Sequence, residues 1–131
     1  YPKAYLEQKP YVKVDVLHGS SLCISKEAFQ KTGGYDEEFF LYEEEKVLGQ
    51  KLRRAGYTSY LCTICSYLHE DSGSTKKSLK SLVQRQKLRQ QSEALYARKY
   101  LHANFLQMFF LKAMQTVILG ETLLYSLFLS K

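Results

Sequence analysis

The spacing of hydrophobic and polar positions changes several times along the chain, and each change predicts an element. Residues 11–17, YVKVDVL, alternate apolar with polar positions and are rich in valine, which predicts a strand. HGSS at 18–21 reads as a turn and LCIS at 22–25 as a second short strand. SKEAFQKTGG then takes up helical spacing. Ser25 is the expected N-cap, Glu27 lies in the first turn, and Gly33 or Gly34 supplies the left-handed stop. YDEEFFLY at 35–42 is a loop. Residues 43–55 predict a second helix, with Val47, Leu48, Leu52 and Ala55 on one face and Gly56 at its end. YTSYLCTICSYL at 57–68 alternates again and reads as strand, and HEDSGSTKKS at 69–78 has linker composition. Helical spacing returns from Ser78 to Leu101.

The most apolar stretch is FLQMFFLKAMQTVILGETLLYSLFL at 105–129, interrupted by Gln107, Lys112, Gln115, Gly120 and Glu121. A helix that spans a bilayer needs about 20 residues with few or no charges. The interruptions predict instead a pair of amphipathic helices, packed on a core or lying at a membrane interface. No internal repeat is present.

Composition adds bounds. The chain of 131 residues fits one domain or part of one, and 45% hydrophobic with 24% charged residues is a globular balance. It opens on Tyr1 without a signal-peptide pattern, which suggests a piece of a longer protein. The net charge of +6 is unevenly spread. Eight basic residues and one acid lie between Lys76 and Lys99, whereas residues 27–45 hold seven acids and one lysine. The basic half fits a polyanion, an anionic membrane surface or a solvated helix face. Nucleic acid is set aside: Tyr96 and Tyr100 accompany the basic run, but no DNA- or RNA-binding motif does. Three cysteines, Cys23, Cys62 and Cys65, are too few and odd in number for a disulfide scaffold and point to a reducing compartment.

Three groups of residues are candidates for chemistry. Glu43, Glu44 and Glu45 open the second helix directly after Phe39, Phe40, Leu41 and Tyr42. Helical spacing sets Glu45 beside Leu48, Gly49 and Leu52, and Glu44 beside Val47 and Leu48, so both carboxylates border the apolar face. A carboxylate there can serve as a general base, and acids at a helix N-terminus can equally do no more than complement the helix dipole. His69 ends the predicted strand at a Gly/Ser loop, a place suited to ligand or phosphate contacts. CTIC followed by His69 has a superficial zinc pattern. On a strand, however, Cys62 and Cys65 would face opposite sides, which reads as apolar packing.

The order of motifs is more specific than any one of them. From VDVLHGSS through KTGGYDEEFFLYEEE and RRAGY to YLHEDSGST, residues 12–75 resemble the C-terminal half of family 2 glycosyltransferases, with rhamnosyltransferase-like members nearest. The anchors are Asp15, Gly19, Gly33, Gly34, Tyr35, Asp36, Glu37, Phe39 to Tyr42, Arg54 to Tyr57, His69 and Ser74. The resemblance implies an α/β fold: the C-terminal portion of a GT-A, Rossmann-like domain with a small mixed sheet plus C-terminal helices. Residues 1–75 would be the acceptor-side part of the catalytic domain, without its nucleotide-binding half, and residues 76–131 a basic, then apolar, helical extension.

It also implies roles. Counting back from RRAGY aligns the family's Glu-Asp pair with Glu44 and Glu45, making Glu45 the catalytic base, or Glu44 after a one-residue shift. Glu stands where Asp is usual, and Lys46-Val47 where Val-Asp is common. His69 matches a position near the donor diphosphate or its metal, and Asp15 and Gly19 match the acceptor floor. The partners implied are a nucleotide-sugar donor and a glycan or lipid-linked acceptor, with Mg²⁺ or Mn²⁺ in the intact enzyme. The Asp-x-Asp metal motif does not occur here, so no complete metal site and no turnover are expected of these residues alone. The expected location is cytoplasmic, peripheral at the inner membrane face, in cell-surface polysaccharide synthesis. The competing expectation is a non-catalytic helical module that docks a partner or membrane or self-associates.

Overall fold

The computed structural model describes residues 9–39, 41–68 and 81–129. They fall into two units: a sheet unit of residues 9–39 with 44–68, and a helical unit of residues 41–43 with 81–129.

The sheet unit begins with β1 (Tyr11–Val14), followed by α1 (Lys26–Lys31), α2 (Glu44–Arg54) and β2 (Ser59–Cys62). β1 and β2 pair antiparallel, with Tyr11 opposite Cys62 and Val14 opposite Ser59. Thr63 N–H extends the ladder by donating to the Pro10 carbonyl at 2.9 Å. The mixed sheet implied by the resemblance is therefore, among the described residues, one antiparallel pair. LCIS does not join it: Ser25 is spent as the cap of α1, accepting a hydrogen bond from Ala28 N–H at 3.1 Å. The alternation over 57–68 becomes a strand over four residues only, because β1 offers four partners.

Gly33 and Gly34, at φ +71° and +64°, end α1 as their position predicts. A side chain on Gly34 would lie 2.9 Å from the Phe29 ring, and its carbonyl accepts from Lys51 Nζ at 2.6 Å. That bond ties the end of α1 to α2. α2 carries Glu44 and Glu45 in its first turn and Lys51, Arg53 and Arg54 in its last, the order that complements its dipole. Its apolar face is buried at Val47 and Leu48, which form the core with Val12, Ala28 and Phe39. Gly56, at φ +85°, closes the helix.

The helical unit contains α3 (Leu82–Lys99) and α4 (Phe105–Leu129). Asn104 starts α4 with a capping box: its Oδ1 accepts from Gln107 N–H at 3.0 Å while Gln107 Oε1 accepts from Asn104 N–H at 2.9 Å. The predicted pair of helices is one continuous helix of 25 residues. Gly120 does not break it, since a glycine among helix formers costs only about 1 kcal/mol. The two helices are joined by a reciprocal glutamine pair. Gln90 Nε2 donates to the Gln115 carbonyl at 2.6 Å and Gln115 Nε2 donates to the Gln90 carbonyl at 2.9 Å. Both side chains are buried. Much of α4 remains apolar and exposed, including Phe105, Phe109, Phe110, Met114, Leu124 and Leu127. No helix among the described residues is long and apolar enough to cross a membrane.

Candidate functional site

The sheet unit assembles its site where α2 crosses the exit of β1. Gly49 is buried at the crossing, and a side chain there would overlap the carbonyl oxygen of Asp15. The missing side chain lets the helix approach the backbone. One turn earlier on the same face, Glu45 reaches the turn after β1, where its Oε1 accepts a hydrogen bond from Gly19 N–H at 3.0 Å. A Cβ on Gly19 would stand 2.8 Å from that oxygen, so this contact also requires a glycine. Among the described residues the Gly19 bond is Glu45's one polar contact, and no ion pair neutralises its carboxylate.

Glu45, Leu48, Gly49 and Leu52 form one wall of a cavity of about 320 Å³. Leu17, Leu22, Ile24 and Tyr60 contribute to the others beside the polar Ser25, Thr58 and Ser59, so the lining is mixed. Beside Gly19 runs a second polar chain. His18 Nδ1 accepts from Ser20 N–H at 3.2 Å and lies 2.6 Å from Ser20 Oγ, which in turn hydrogen-bonds the Tyr67 hydroxyl. Because Nδ1 accepts from a backbone amide, its proton belongs on Nε2 in the neutral ring.

The remaining predicted residues are placed as follows. Glu44 opens α2 half-buried, with one carboxylate oxygen covered, and does not line the Glu45 cavity. Asp15 is exposed and holds Arg53 Nη1 at 3.2 Å. It lines a cavity of about 250 Å³ with Arg53 and Gly56, which shares Gly49, Tyr57, Thr58 and Ser59 with the Glu45 cavity. Gly19 bonds Glu45, and the Asp15 carboxylate is turned to Arg53. His69 and Ser74 lie outside the described residues. Among the described residues no three His, Cys, Asp or Glu side chains group as metal ligands.

The two cysteines correct their expected geometry. β2 ends at Cys62 and the chain bends at Thr63 and Ile64, so Cys65 returns toward Cys62 instead of facing away along a strand. A hydrogen bond with Cys62, then the charge repulsion between them, holds the Cys65 thiol above its ordinary range. Cys65 is exposed, so it is not a packing residue, and both thiols are free. His18, Ser20 and Tyr67 were not singled out by the sequence reading. HGSS looks like any polar turn, and only the fold shows that its amide and imidazole meet the glutamate and tyrosine.

Compared with known proteins, part of the chain is similar to curated glycosyltransferases. The matches are the N-acetylglucosaminyl-diphospho-decaprenol L-rhamnosyltransferases of two Mycobacterium tuberculosis strains, each 39% identical over 59 residues. The match covers 45% of this chain, and the chain spans about a fifth of the length of the curated relatives it matches, 19% of each. No family model and no solved structure matches.

Proposed function

We propose that the chain is the acceptor-side part of an inverting glycosyltransferase of the GT-A fold, with Glu45 as its catalytic base. The observation that carries this reading is the carboxylate itself. Glu45 is half-buried at a cavity, oriented by one backbone N–H, and free of any ion pair among the described residues. An oriented carboxylate without a competing cation is what a general base requires. The partial identity with the rhamnosyltransferases supports the same class.

In this reading the acceptor hydroxyl docks at the Glu45 end of the cavity. Its oxygen attacks the anomeric carbon of a nucleotide-diphosphate sugar from the face opposite the leaving group. Glu45 takes the hydroxyl proton, the bond to the nucleoside diphosphate breaks, and the anomeric configuration inverts. The Gly19 amide holds one carboxylate oxygen in place during the transfer. In this reading donor binding and any divalent metal are assigned to residues beyond the described ones, in keeping with the lack of an Asp-x-Asp sequence in this chain. The acceptor is a glycan or a lipid-linked glycan. The exposed apolar face of α4 and the basic α3 suit an enzyme working peripherally at the inner membrane face in cell-surface polysaccharide synthesis.

The test is glycosyl transfer by the longer protein, assayed with a panel of nucleotide sugars and Mn²⁺. Glu45→Gln is expected to lower kcat by about 10²–10⁴-fold with the fold intact, and Glu44→Gln by far less. Full activity in both variants would end the base assignment. The exposed face of α4 favours one other reading, a non-catalytic module that docks a partner or membrane. In that case the longer protein turns over no nucleotide sugar at all.

A further inference from the structure

The helical unit holds an open cavity of about 430 Å³ that the transferase reading does not use. Its volume lies within the range of about 300–1,000 Å³ common for small-molecule sites. Arg85 and Arg89, one turn apart on α3, form one wall, and Glu121, Thr122 and Tyr125 of α4 form the opposite one. Tyr42 closes a side. The Arg89 guanidinium lies over the Tyr42 ring, 5.0 Å from its centre, a contact that uses none of its N–H donors in a hydrogen bond. Arg85 Nε is buried with no acceptor. Among the described residues neither arginine has a carboxylate partner, Glu121 included.

A buried guanidinium N–H without an acceptor is costly, and two adjacent cations facing a cavity invite a multivalent anion. We propose that this cavity binds a phosphoryl group, as phosphate or diphosphate, held by Arg85 and Arg89 together. A carboxylate carries a single charge on two oxygens in one plane, which suits one guanidinium fork. A phosphoryl group presents three and can take bonds from both forks at once. The hydroxyls of Thr122 and Tyr125 line the same space as further donors. Glu121 opposes the anion and limits its affinity.

The phosphoryl group can arrive free in solution or at the head of a lipid. Leu124, Leu127 and Phe128 lie exposed on either side of Tyr125 and suit the second route. The choice of a polyprenyl diphosphate as one probe rests on the acceptor reading above, whereas the anion chemistry does not.

The experiment titrates the purified protein with sodium diphosphate by calorimetry. In parallel it measures sedimentation with phosphatidylcholine vesicles, plain or carrying a polyprenyl diphosphate. Arg85→Gln and Arg89→Gln are each expected to weaken binding by about ten- to a hundredfold. Glu121→Gln should tighten it, and Lys112→Gln, an exposed position on α4, should leave it unchanged. Arginine-dependent binding of free diphosphate supports a soluble source, and arginine-dependent binding only to the loaded vesicles supports a lipid source. If Arg85→Gln unfolds the protein, Arg85→Lys keeps the charge without the fork and should still weaken binding. Binding that ignores Arg85, that falls equally with Lys112→Gln, or that is absent from both probes overturns the proposal. The Glu45 transfer assay is untouched by any of these results, so the two readings fail separately.

Discussion

In the sheet unit, α2 meets the exit of β1 because Gly49 has no side chain to keep them apart. In the helical unit, α3 meets α4 through two side chains, Gln90 and Gln115, each long enough to reach the other's backbone. One contact is made by absent atoms and the other by a matched polar pair. They also fail differently. The first allows no atom to be added, so it fixes the approach of α2, which carries Glu45, to the exit of β1. The second tolerates changes of shape, and losing one of its side chains removes hydrogen bonds without forcing the helices apart. A catalytic carboxylate is better served by the first kind of contact.

The largest structural effect is expected at Gly49. Gly49→Ala gains about 1 kcal/mol of helix propensity. Against that, the new methyl overlaps the Asp15 carbonyl oxygen, a backbone atom that cannot swing away. Overpacking costs about 1–3 kcal/mol, and overlap with a backbone atom belongs at the upper end, so a net loss of about 2 kcal/mol is expected. A urea melt reads it directly, and a stabilised Gly49→Ala would show that α2 does not press on β1.

Gly19→Ala is expected to separate geometry from stability. The added Cβ would stand 2.8 Å from Glu45 Oε1, at an exposed turn where the carboxylate is the part that yields. Displacing a catalytic group by about 1 Å costs on the order of 100-fold in rate. Transfer by the longer protein should therefore fall while the melting curve barely moves. Equal activity in Gly19→Ala would mean that the amide does not orient the base.

These two glycines show which parts of the molecule the sequence reading could reach. α1 was legible because its signals are local: Ser25 caps it, Ala28 faces inward, and Gly33 and Gly34 stop it. The buried face of α2, at Val47 and Leu48, followed from its spacing. LCIS and the outer part of 57–68 were misread because strand length depends on a partner, and β1 supplies four residues. The continuous α4 was missed because Gly120 and Glu121 look like a break, yet they cost too little to end so long a helix. At the site, the resemblance pointed to both Gly19 and Glu45, and the structure shows one bonding the other. Nothing in HGSS by itself signals the His18–Ser20–Tyr67 chain, since Tyr67 lies 47 positions from Ser20.

The helical unit's contact is softer. Gln115→Leu removes the donor to the Gln90 carbonyl at 2.9 Å and a longer bond to Glu93 Oε2 at 3.2 Å, and it replaces them with apolar contact. A hydrogen bond contributes about 1 kcal/mol net, and the buried leucine offsets part of the loss. The expected destabilisation is about 1 kcal/mol, smaller than that of Gly49→Ala although the residue is as deeply buried. A loss well beyond this would place the glutamine pair among the strong contacts and remove the contrast between the units.

The smallest effect is expected at Asp15. Asp15 matches the acceptor floor by sequence, yet its carboxylate holds Arg53 at 3.2 Å with both side chains largely exposed, at 77% and 64%. An exposed pair of this kind contributes roughly 0–1 kcal/mol and is screened by salt. Arg53→Ala should therefore shift the urea midpoint only slightly, and less at high salt. Asp15→Asn should leave transfer essentially unchanged, because the Asp15 carboxylate is held by Arg53 and does not line the Glu45 cavity. A marked loss of transfer in Asp15→Asn, with no change in Arg53→Ala, would mean that the carboxylate leaves Arg53 when the acceptor binds. The acceptor floor would then extend past Gly49 to the strand itself, and that glycine would be the hinge between two halves of one site.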